Sequence, residues 1–279
     1  MIVRTLAALA VLSTAAPAAL AERTLLQGGD VLDVRNGRIM SSTDVLVEDG
    51  RIVGIGGDLS GDLTADDTIV DMSGATLLPG LSDSHVHLTG RSDIHGYRRL
   101  AVSLPRSTVS GVANAEKTLR AGFTTVRNLG APGFADVALR DAISDGEIPG
   151  PRIIPAGRSI GITGGHCDSN LLPFEYRDQS GGVADGPWAV RAKVRENVKY
   201  GAEVIKFCGT GGVLSKGTRI GAQQFTLEEM SALVDEAHLL GLKVAVHAHG
   251  TDGINTALEA GVDSVEHSSL ISDEGIEVA

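Results

Sequence analysis

The chain has 279 residues, enough for one large α/β domain and a small accessory one. Its formal net charge is −11, and no basic stripe interrupts that acidity, so the composition argues against a nucleic-acid-binding protein. Two cysteines are too few for a disulfide scaffold, and the sequence leaves open whether Cys167 and Cys208 pair.

Residues 1–21 have the pattern of an export signal. Arg4 supplies a positive start, a short apolar stretch follows, and Ala19-Leu20-Ala21 fits the small-x-small cleavage site. The stretch is too short and too interrupted for a membrane-spanning helix. We therefore expect a bacterial signal peptide, with the mature protein in the periplasm or secreted and no membrane span.

Residues 22–76 are predicted to form a small β-sandwich lobe. Asp49-Gly50 is a hairpin-turn signal, and it stands between alternating apolar positions at Val45, Val47 and Ile52. No residue in this stretch suggests chemistry.

From residue 77 to residue 279 the pattern changes to strand followed by helix. Thr226 and Glu229 form a capping-box signal at the start of the clearest helix. Glycines that close a helix before an apolar run stand at Gly122, Gly201, Gly241 and Gly261. The runs predict six strands, near His85, Thr125, Pro155, Ile205, Val246 and Val265. Such alternation predicts parallel pairing, in an open doubly wound sheet or a (β/α)₈ barrel.

The strand ends favour the barrel. No glycine-rich phosphate loop follows the first of these strands, whereas potential metal ligands follow several of them. His85 and His87 are two residues apart, so a strand would turn both imidazoles to one face, which is half of a metal site. His247, His249 and His267 stand at the ends of two later strands.

Lys206 lies inside an apolar strand, where its charge is unexpected. A lysine at a sheet end can extend its ammonium to water, but a residue facing a packed interior would pay a large desolvation cost. A lysine whose pKa is lowered by burial can instead react with CO₂. The resulting carbamate is an anionic oxygen ligand that can bridge two cations.

Several motifs occur together and in order: LLPGLSDSHVHL, AGFTTVRNLG, LRDAISDGEIPGPRI, TGGH, VIKFCGTGGVLS, VAVHAHG and VDSVEHS. In them the chain resembles the metal-dependent amidohydrolase superfamily, in a branch similar to imidazolonepropionase and the metal-dependent Xaa-Pro dipeptidases. The resemblance implies a TIM-like (β/α)₈ barrel. It also implies a binuclear hydrolase in which a hydroxide shared by the metals attacks the substrate.

The resemblance implies a set of metal ligands. His85 and His87 would hold the more buried ion, and Lys206, as its carbamate, would bridge to a second ion held by His247 and His267. Imidazole and carboxylate donors suit Zn²⁺ best. Lys206, His247 and His267 would thus be catalytic as well as metal-binding.

Other residues are candidates for binding the substrate. His166, His249 and Arg219 are candidates, although a loop histidine bonded to backbone and a solvated arginine are competing interpretations. His95 and His238 look structural. Where the family usually has Arg-Asp-Leu-Gly, this chain has Asn128 in place of the aspartate, a departure to which the sequence assigns no consequence.

The family's pattern has eight strands with an aspartate at the end of the eighth, and this sequence supplies about six strands and no such residue. The sequence therefore predicts a barrel truncated before strands 7 and 8, belonging to a longer enzyme and expected to be inactive and poorly soluble alone. The expected reaction is hydrolysis of an amide bond in a small molecule, such as an Xaa-Pro dipeptide or an N-acyl amino acid. A cyclic amide or lactone substrate, a catalytically inactive periplasmic binding protein and a homo-oligomer all stay open.

Overall fold

A computed structural model describes residues 23–61 and 63–279. The predicted signal peptide, residues 1–21, lies outside the described residues. The chain divides into two compact units, one ending at Pro79 and the other comprising Gly80–Ala279. None of the helices in the described part has the length and apolar character that crossing a bilayer requires.

The first unit contains one mixed sheet. Its strands are β1 (Arg23–Asp33), β2 (Arg38–Glu48), β3 (Arg51–Gly56), β4 (Thr68–Asp71) and β5 (Thr76–Leu77). They are ordered β3-β2-β1-β4, with β5 also on β1; β1 to β3 pair antiparallel, and β4 and β5 run parallel to β1. The predicted hairpin turn is confirmed, since Asp49 and Gly50 both have positive φ angles, of 48° and 73°. The predicted β-sandwich is not confirmed.

The second unit alternates strands and helices as predicted. Its elements are β6 (Leu81–Val86), α1 (Leu104–Arg120), β7 (Phe123–Asn128), α2 (Ala135–Ser144), β8 (Arg152–Pro155), α3 (Pro187–Lys199), β9 (Val204–Cys208), α4 (Leu227–Leu239), β10 (Lys243–Ala248), α5 (Thr251–Glu259), β11 (Ser264–His267) and α6 (Asp273–Val278). Short 3₁₀ helices cover Gly96–Ala101, Pro132–Phe134 and Phe174–Tyr176.

The six strands are parallel and follow chain order, as β6-β7-β8 and β9-β10-β11. The two sheets meet where the amide N of Glu203 donates to the carbonyl of Pro155 over 2.8 Å. The strand predicted near Pro155 is short and covers only Arg152–Pro155. It ends at Pro155 because the chain turns at Gly157, whose φ is 65°, and it rejoins β9 only through a bridge between Ile160 and Phe207.

Local signals at the helix ends are confirmed. Thr226 and Glu229 form the reciprocal capping box that starts α4. The four glycines that close helices have left-handed φ angles: Gly122 94°, Gly201 94°, Gly241 79° and Gly261 85°. Over residues 80–279 no strand joins β6 to β11, so these residues do not close a barrel and the (β/α)₈ architecture stays a prediction.

The largest apolar cluster packs the outer face of β9 and β10 against the helices. Ile205, Phe207 and Val246 lie in it together with Leu233 of α4, and all four are fully buried. Because side chains alternate along a strand, Lys206 and His247 are turned to the opposite, inner face. The outer packing therefore fixes which residues face the site.

Candidate metal centre

Six of the eight histidines lie in one group, together with Lys206; we call this group the histidine cluster. Its members are His85, His87, Lys206, His166, His247, His249 and His267. Neighbouring ring centroids are 5.3 Å apart for His85–His87, 5.0 Å for His85–His267, 4.7 Å for His247–His267, 4.7 Å for His247–His249, 4.8 Å for His249–His267 and 4.2 Å for His166–His247. All the predicted histidine ligands are brought together at the carboxyl ends of the strands.

The two histidines of β6 each use Nδ1 for a contact within the protein. His85 Nδ1 is 2.8 Å from an oxygen of Glu266, and His87 Nδ1 is 3.1 Å from the carbonyl oxygen of Gly130. Each contact leaves Nε2 available. This arrangement is typical of metal-binding histidines, whose second nitrogen is fixed by a carboxylate or a carbonyl.

His247 has a buried nitrogen that is left without a partner. Its Nε2 contacts no hydrogen-bonding group among the described residues. Burial, followed by the neighbouring His166 and Lys206, lowers the pKa of His247 to about 2. The side chain is therefore neutral, the form that binds a metal ion.

His249 and His267 complete a compact group of donors with His247. One nitrogen from each of the three imidazoles lies within 4.8 Å of the others. Burial lowers the pKa of both His249 and His267. His249 thus lies as close to this group as the predicted ligands do, although the sequence suggested a substrate role for it.

His267 reaches the cluster through an unusual backbone conformation. Strict alternation along β11 would send Glu266 and His267 to opposite faces of the strand. His267 has a φ of 74° and Ser268 a φ of 46°, both in the left-handed region that side chains rarely adopt. Such conformations concentrate at functional sites. The twist lets two consecutive residues both contribute to the site.

Lys206 is buried on the inner face of β9, with 3% of its surface exposed. Burial lowers its pKa to about 8, an effect opposed by Glu266 and reinforced by Arg127. A substantial share of neutral amine is therefore present near pH 8, and the neutral amine is the form that can react with CO₂. The carbamate on Lys206 stays a prediction.

His166 stacks on His247 from the loop that follows β8. Its Nδ1 is 2.9 Å from the hydroxyl of Ser215, and burial, followed by the charge of Lys206, lowers its pKa to about 4. A Cβ atom at residue 212 would overlap the His166 ring, which explains the glycine there. The next residue, Cys167, forms a disulfide with Cys208 at the end of β9. The pairing that the sequence left open is thus present.

The remaining candidates lie outside the cluster. Arg219 is exposed in the loop after β9. His95 is exposed, and His238 Nε2 is 2.8 Å from a carboxylate oxygen of Asp263, in keeping with a structural role.

Sequence reasoning missed Glu266. This carboxylate is 7% exposed and contacts His85, Arg127 and Ser264. Burial raises its pKa, but the hydrogen bonds from His85 and Ser264 and the charge of Arg127 outweigh that effect and bring the pKa to about 2. Strand alternation could have pointed to it, because Glu266 is two residues after Ser264 and both therefore lie on the inner face of β11.

The residues present fit a metal site. The cluster offers several neutral imidazoles, an unpartnered buried nitrogen on His247 and a buried lysine of lowered pKa. Nitrogen donors of this kind suit Zn²⁺ and other first-row divalent ions.

Residues 76–278 match the model of the amidohydrolase family. The chain belongs to this family. The family implies a TIM-like (β/α)₈ architecture, of which the six parallel strands are part, and it generally binds divalent metals. The sequence-based resemblance is thereby confirmed.

Curated relatives of this amidohydrolase include the ochratoxinase of Aspergillus niger, which is 35% identical over 215 residues, 71% of this chain and 44% of the relative. The imidazolonepropionase of Salinispora tropica is 25% identical over 248 residues, 84% of this chain and 58% of the relative. The chain thus spans about half the length of the curated relatives it matches.

Solved structures agree with this placement. A Xaa-Pro dipeptidase with bound methionine is similar with a TM-score of 0.84 and 35% identity, over 92% of this amidohydrolase and 64% of that chain. A prolidase complexed with N-methylphosphonate-L-proline is similar with a TM-score of 0.79 and 31% identity, over 92% and 63%.

Proposed function

We propose that this amidohydrolase is a metal-dependent hydrolase of an amide bond in a small substrate, such as an Xaa-Pro dipeptide or an N-acyl amino acid. The observation that carries the proposal is the histidine cluster, in which six imidazoles and a buried lysine converge from separate strand ends. The similar Xaa-Pro dipeptidase and prolidase structures support the substrate class.

In this proposal His85, His87, His247 and His267 would hold divalent cations, taken as Zn²⁺, and Lys206, as its carbamate, would supply them with an anionic oxygen donor. When bound, such cations polarise a carbonyl and lower the pKa of water. The chain's contribution is a set of neutral imidazoles on rigid strands. Rigid placement matters because donors that must be reorganised on binding lose affinity.

His166 and His249 are proposed to contact the substrate. His166 is held by Ser215 through Nδ1, and His249 Nδ1 is 2.8 Å from the hydroxyl of Ser269. Both rings therefore have Nε2 free to hydrogen-bond a substrate carbonyl or carboxylate. Arg219, exposed in its loop, stays the proposed partner of a substrate carboxylate.

Export is also proposed, on the basis of the amino-terminal signal. The disulfide between Cys167 and Cys208 supports it, because disulfides persist in oxidising compartments such as the periplasm.

The test uses the protein expressed from its complete reading frame and supplied with Zn²⁺, Mn²⁺ or Co²⁺. We expect turnover of Xaa-Pro dipeptides or N-acyl amino acids, and about two equivalents of bound metal. Lys206→Ala should lose metal and at least about 10³-fold of kcat/KM, with partial recovery on adding a short-chain carboxylate, which replaces the missing bridge. Lys117→Ala, at an exposed position on α1, is the control.

Two other outcomes identify the alternatives. Turnover of cyclic amides or lactones without dipeptide cleavage would favour a ring hydrolase, for which the similarity to imidazolonepropionase is the supporting observation. Tight metal binding without turnover of any substrate in the panel would identify a binding protein and overturn the hydrolase proposal.

A further inference from the structure

Glu266 links strands that are not hydrogen-bonded to one another. It lies on β11, at the edge of one sheet, while its partners His85 and Arg127 lie on β6 and β7 of the other. Its two oxygens are divided between these partners. Oε2 is 2.8 Å from His85 Nδ1, and Oε1 accepts from the Arg127 guanidinium over 2.6 Å and from the Ser264 hydroxyl over 2.8 Å.

Arg127 fixes the orientation of the Glu266 carboxylate. The arginine is itself anchored, because its Nε donates to the carbonyl of Ser84 over 2.7 Å. An arginine offers only donors, so the oxygen it contacts must be an acceptor. Ser264 donates to the same oxygen. Oε1 is therefore committed to two donors, and Oε2 is the atom left for His85.

Glu266 is ion-paired with the Arg127 guanidinium over 2.6 Å, and a carboxylate accepts hydrogen bonds and donates none. His85 must then carry its hydrogen on Nδ1, which leaves the lone pair of Nε2 free for a metal ion. Carboxylate–histidine–metal arrangements of this kind fix both the tautomer and the ring orientation. We infer that Glu266 is a positioning residue that selects the metal-binding tautomer of His85, with Arg127 setting the orientation of the carboxylate. The metal-binding part of this inference rests on the proposed function.

The Glu266→Gln substitution distinguishes this role from general packing. In the variant, Arg127 still requires an acceptor, so the amide oxygen should face it, and accept from Ser264 as before, while the amide NH₂ should face His85. The NH₂ donates to Nδ1, which moves the hydrogen of His85 to Nε2 and blocks the metal-binding atom. The side chain has nearly the same size and shape, so the effect on packing is small.

The first measurement is the tautomer of His85 in the wild-type protein. Long-range ¹⁵N–¹H NMR of the metal-free protein should show His85 with its hydrogen on Nδ1, the resonance being assigned through its loss in His85→Asn. A wild-type His85 with its hydrogen on Nε2 would overturn the inference. This readout does not depend on metal binding or on turnover, so it stands even if the proposed hydrolase function fails.

The second measurement is metal affinity, determined by competition with a chromophoric chelator and Zn²⁺ alone. We expect Glu266→Gln to weaken Zn²⁺ binding by about 10- to 100-fold and to shift His85 to the Nε2–H tautomer. The double variant Glu266→Gln with Arg127→Met should recover part of the affinity, because the amide is then free to rotate its oxygen toward His85. Affinity within twofold of wild type in Glu266→Gln would contradict the inference.

Glu236 provides a matched control. It is also buried, at 3% exposed, and is held by two arginines, Arg191 and Arg195, but its contacts include no histidine. Glu236→Gln should leave Zn²⁺ affinity and the His85 tautomer unchanged. Equal losses of affinity in the two glutamine variants would show a structural effect and overturn the positioning role.

Discussion

The two three-stranded sheets of residues 80–279 hold their strand ends in place by different means. Around β9, β10 and β11 a large apolar cluster fills the space beneath α3, α4 and α5. Around β6, β7 and β8 the corresponding cluster has only five fully buried members: Leu88, Ala115, Val126, Leu139 and Ile153. The β9–β11 sheet supplies His247, His267 and Lys206 to the histidine cluster, and the β6–β8 sheet supplies His85 and His87.

The β6–β8 sheet compensates with a buried polar network. Asn128 accepts from the amide N of Leu88 over 2.8 Å and donates to Asp136 over 3.1 Å, and Asp136 also accepts from the amide N of Gly157 over 3.0 Å. These bonds join β7, α2 and the loops after β6 and β8. Hydrogen bonds are directional whereas apolar packing is not, so this half should be more sensitive to isosteric polar changes.

The largest expected effect is the loss of stability on removing the disulfide, which joins the loop after β8 to the end of β9. The double change Cys167→Ser and Cys208→Ser removes a cross-link spanning 41 residues of sequence. In the chain-entropy model this costs about 4 kcal/mol of unfolding free energy. Urea unfolding should show the loss, and a reductant should lower the stability of wild type while leaving the double variant unchanged. A loss below about 1 kcal/mol would contradict the prediction.

Lys206→Met should stabilise the metal-free protein. Because burial depresses the lysine pKa from 10.5 to about 8, the ammonium destabilises the native state by about 3 kcal/mol below pH 8. The unfolded chain binds the proton more tightly than the native state, so wild-type stability rises from pH 8 to pH 10.5. The advantage of methionine should therefore be full at pH 7 and fade over that interval.

Urea unfolding at several pH values checks this. The control is Lys117→Met, whose exposed ammonium on α1 should give no comparable gain. A Lys206→Met variant that is less stable than wild type at pH 7 would contradict the prediction that the buried ammonium destabilises the native state.

Asp136→Asn tests the polar network of the β6–β8 sheet. Asp136 accepts three N–H bonds, from Asn128, Gly157 and Val137, and an amide in its place turns one acceptor into a donor. We expect a loss of about 2 kcal/mol at pH 7. Asp145→Asn, at the exposed end of α2, should cost much less.

The stability difference between wild type and Asp136→Asn should change with pH in a direction set by the pKa of Asp136. Burial raises the pKa of Asp136, so the native state holds its proton more tightly than the unfolded chain. Wild-type stability should consequently fall as pH rises above 3.8, the ordinary value for an aspartate. The gap between wild type and Asp136→Asn should be widest in acid and narrow toward neutrality, and a gap that widens instead would contradict this.

The smallest expected effect concerns α4, beside the β9–β11 sheet. Thr226→Ala removes the hydroxyl that accepts from the amide N of Glu229 over 3.2 Å, which should cost about 1 kcal/mol. Thr226→Ser retains the hydroxyl and should stay within about 0.5 kcal/mol of wild type in thermal unfolding. Equal losses in the two variants would show that the cap is not responsible.

Local periodicity was enough to predict much of this molecule. The six strands, the left-handed glycines after the helices, the capping box at Thr226 and the Asp49-Gly50 turn depend on residues close in sequence. The pairing of His85 with His87 on one face has the same origin. The sequence also pointed to Lys206, because a charge within an apolar strand is conspicuous whatever the strand packs against.

Contacts between distant segments were decided only by the tertiary structure. The sequence could not interpret Asn128, which stands where the family usually has an aspartate. In the structure Asn128 donates to Asp136, and an aspartate at position 128 would place two carboxylates together. Glu266 meets His85 across 181 residues of sequence, and no local pattern indicates that contact. His267 joins the site through a left-handed twist that alternation alone would not predict. Sequence thus determined which elements form and which residues carry the chemistry, because those depend on short-range sterics and periodicity, whereas the partners that orient each imidazole depend on how the strands are brought together.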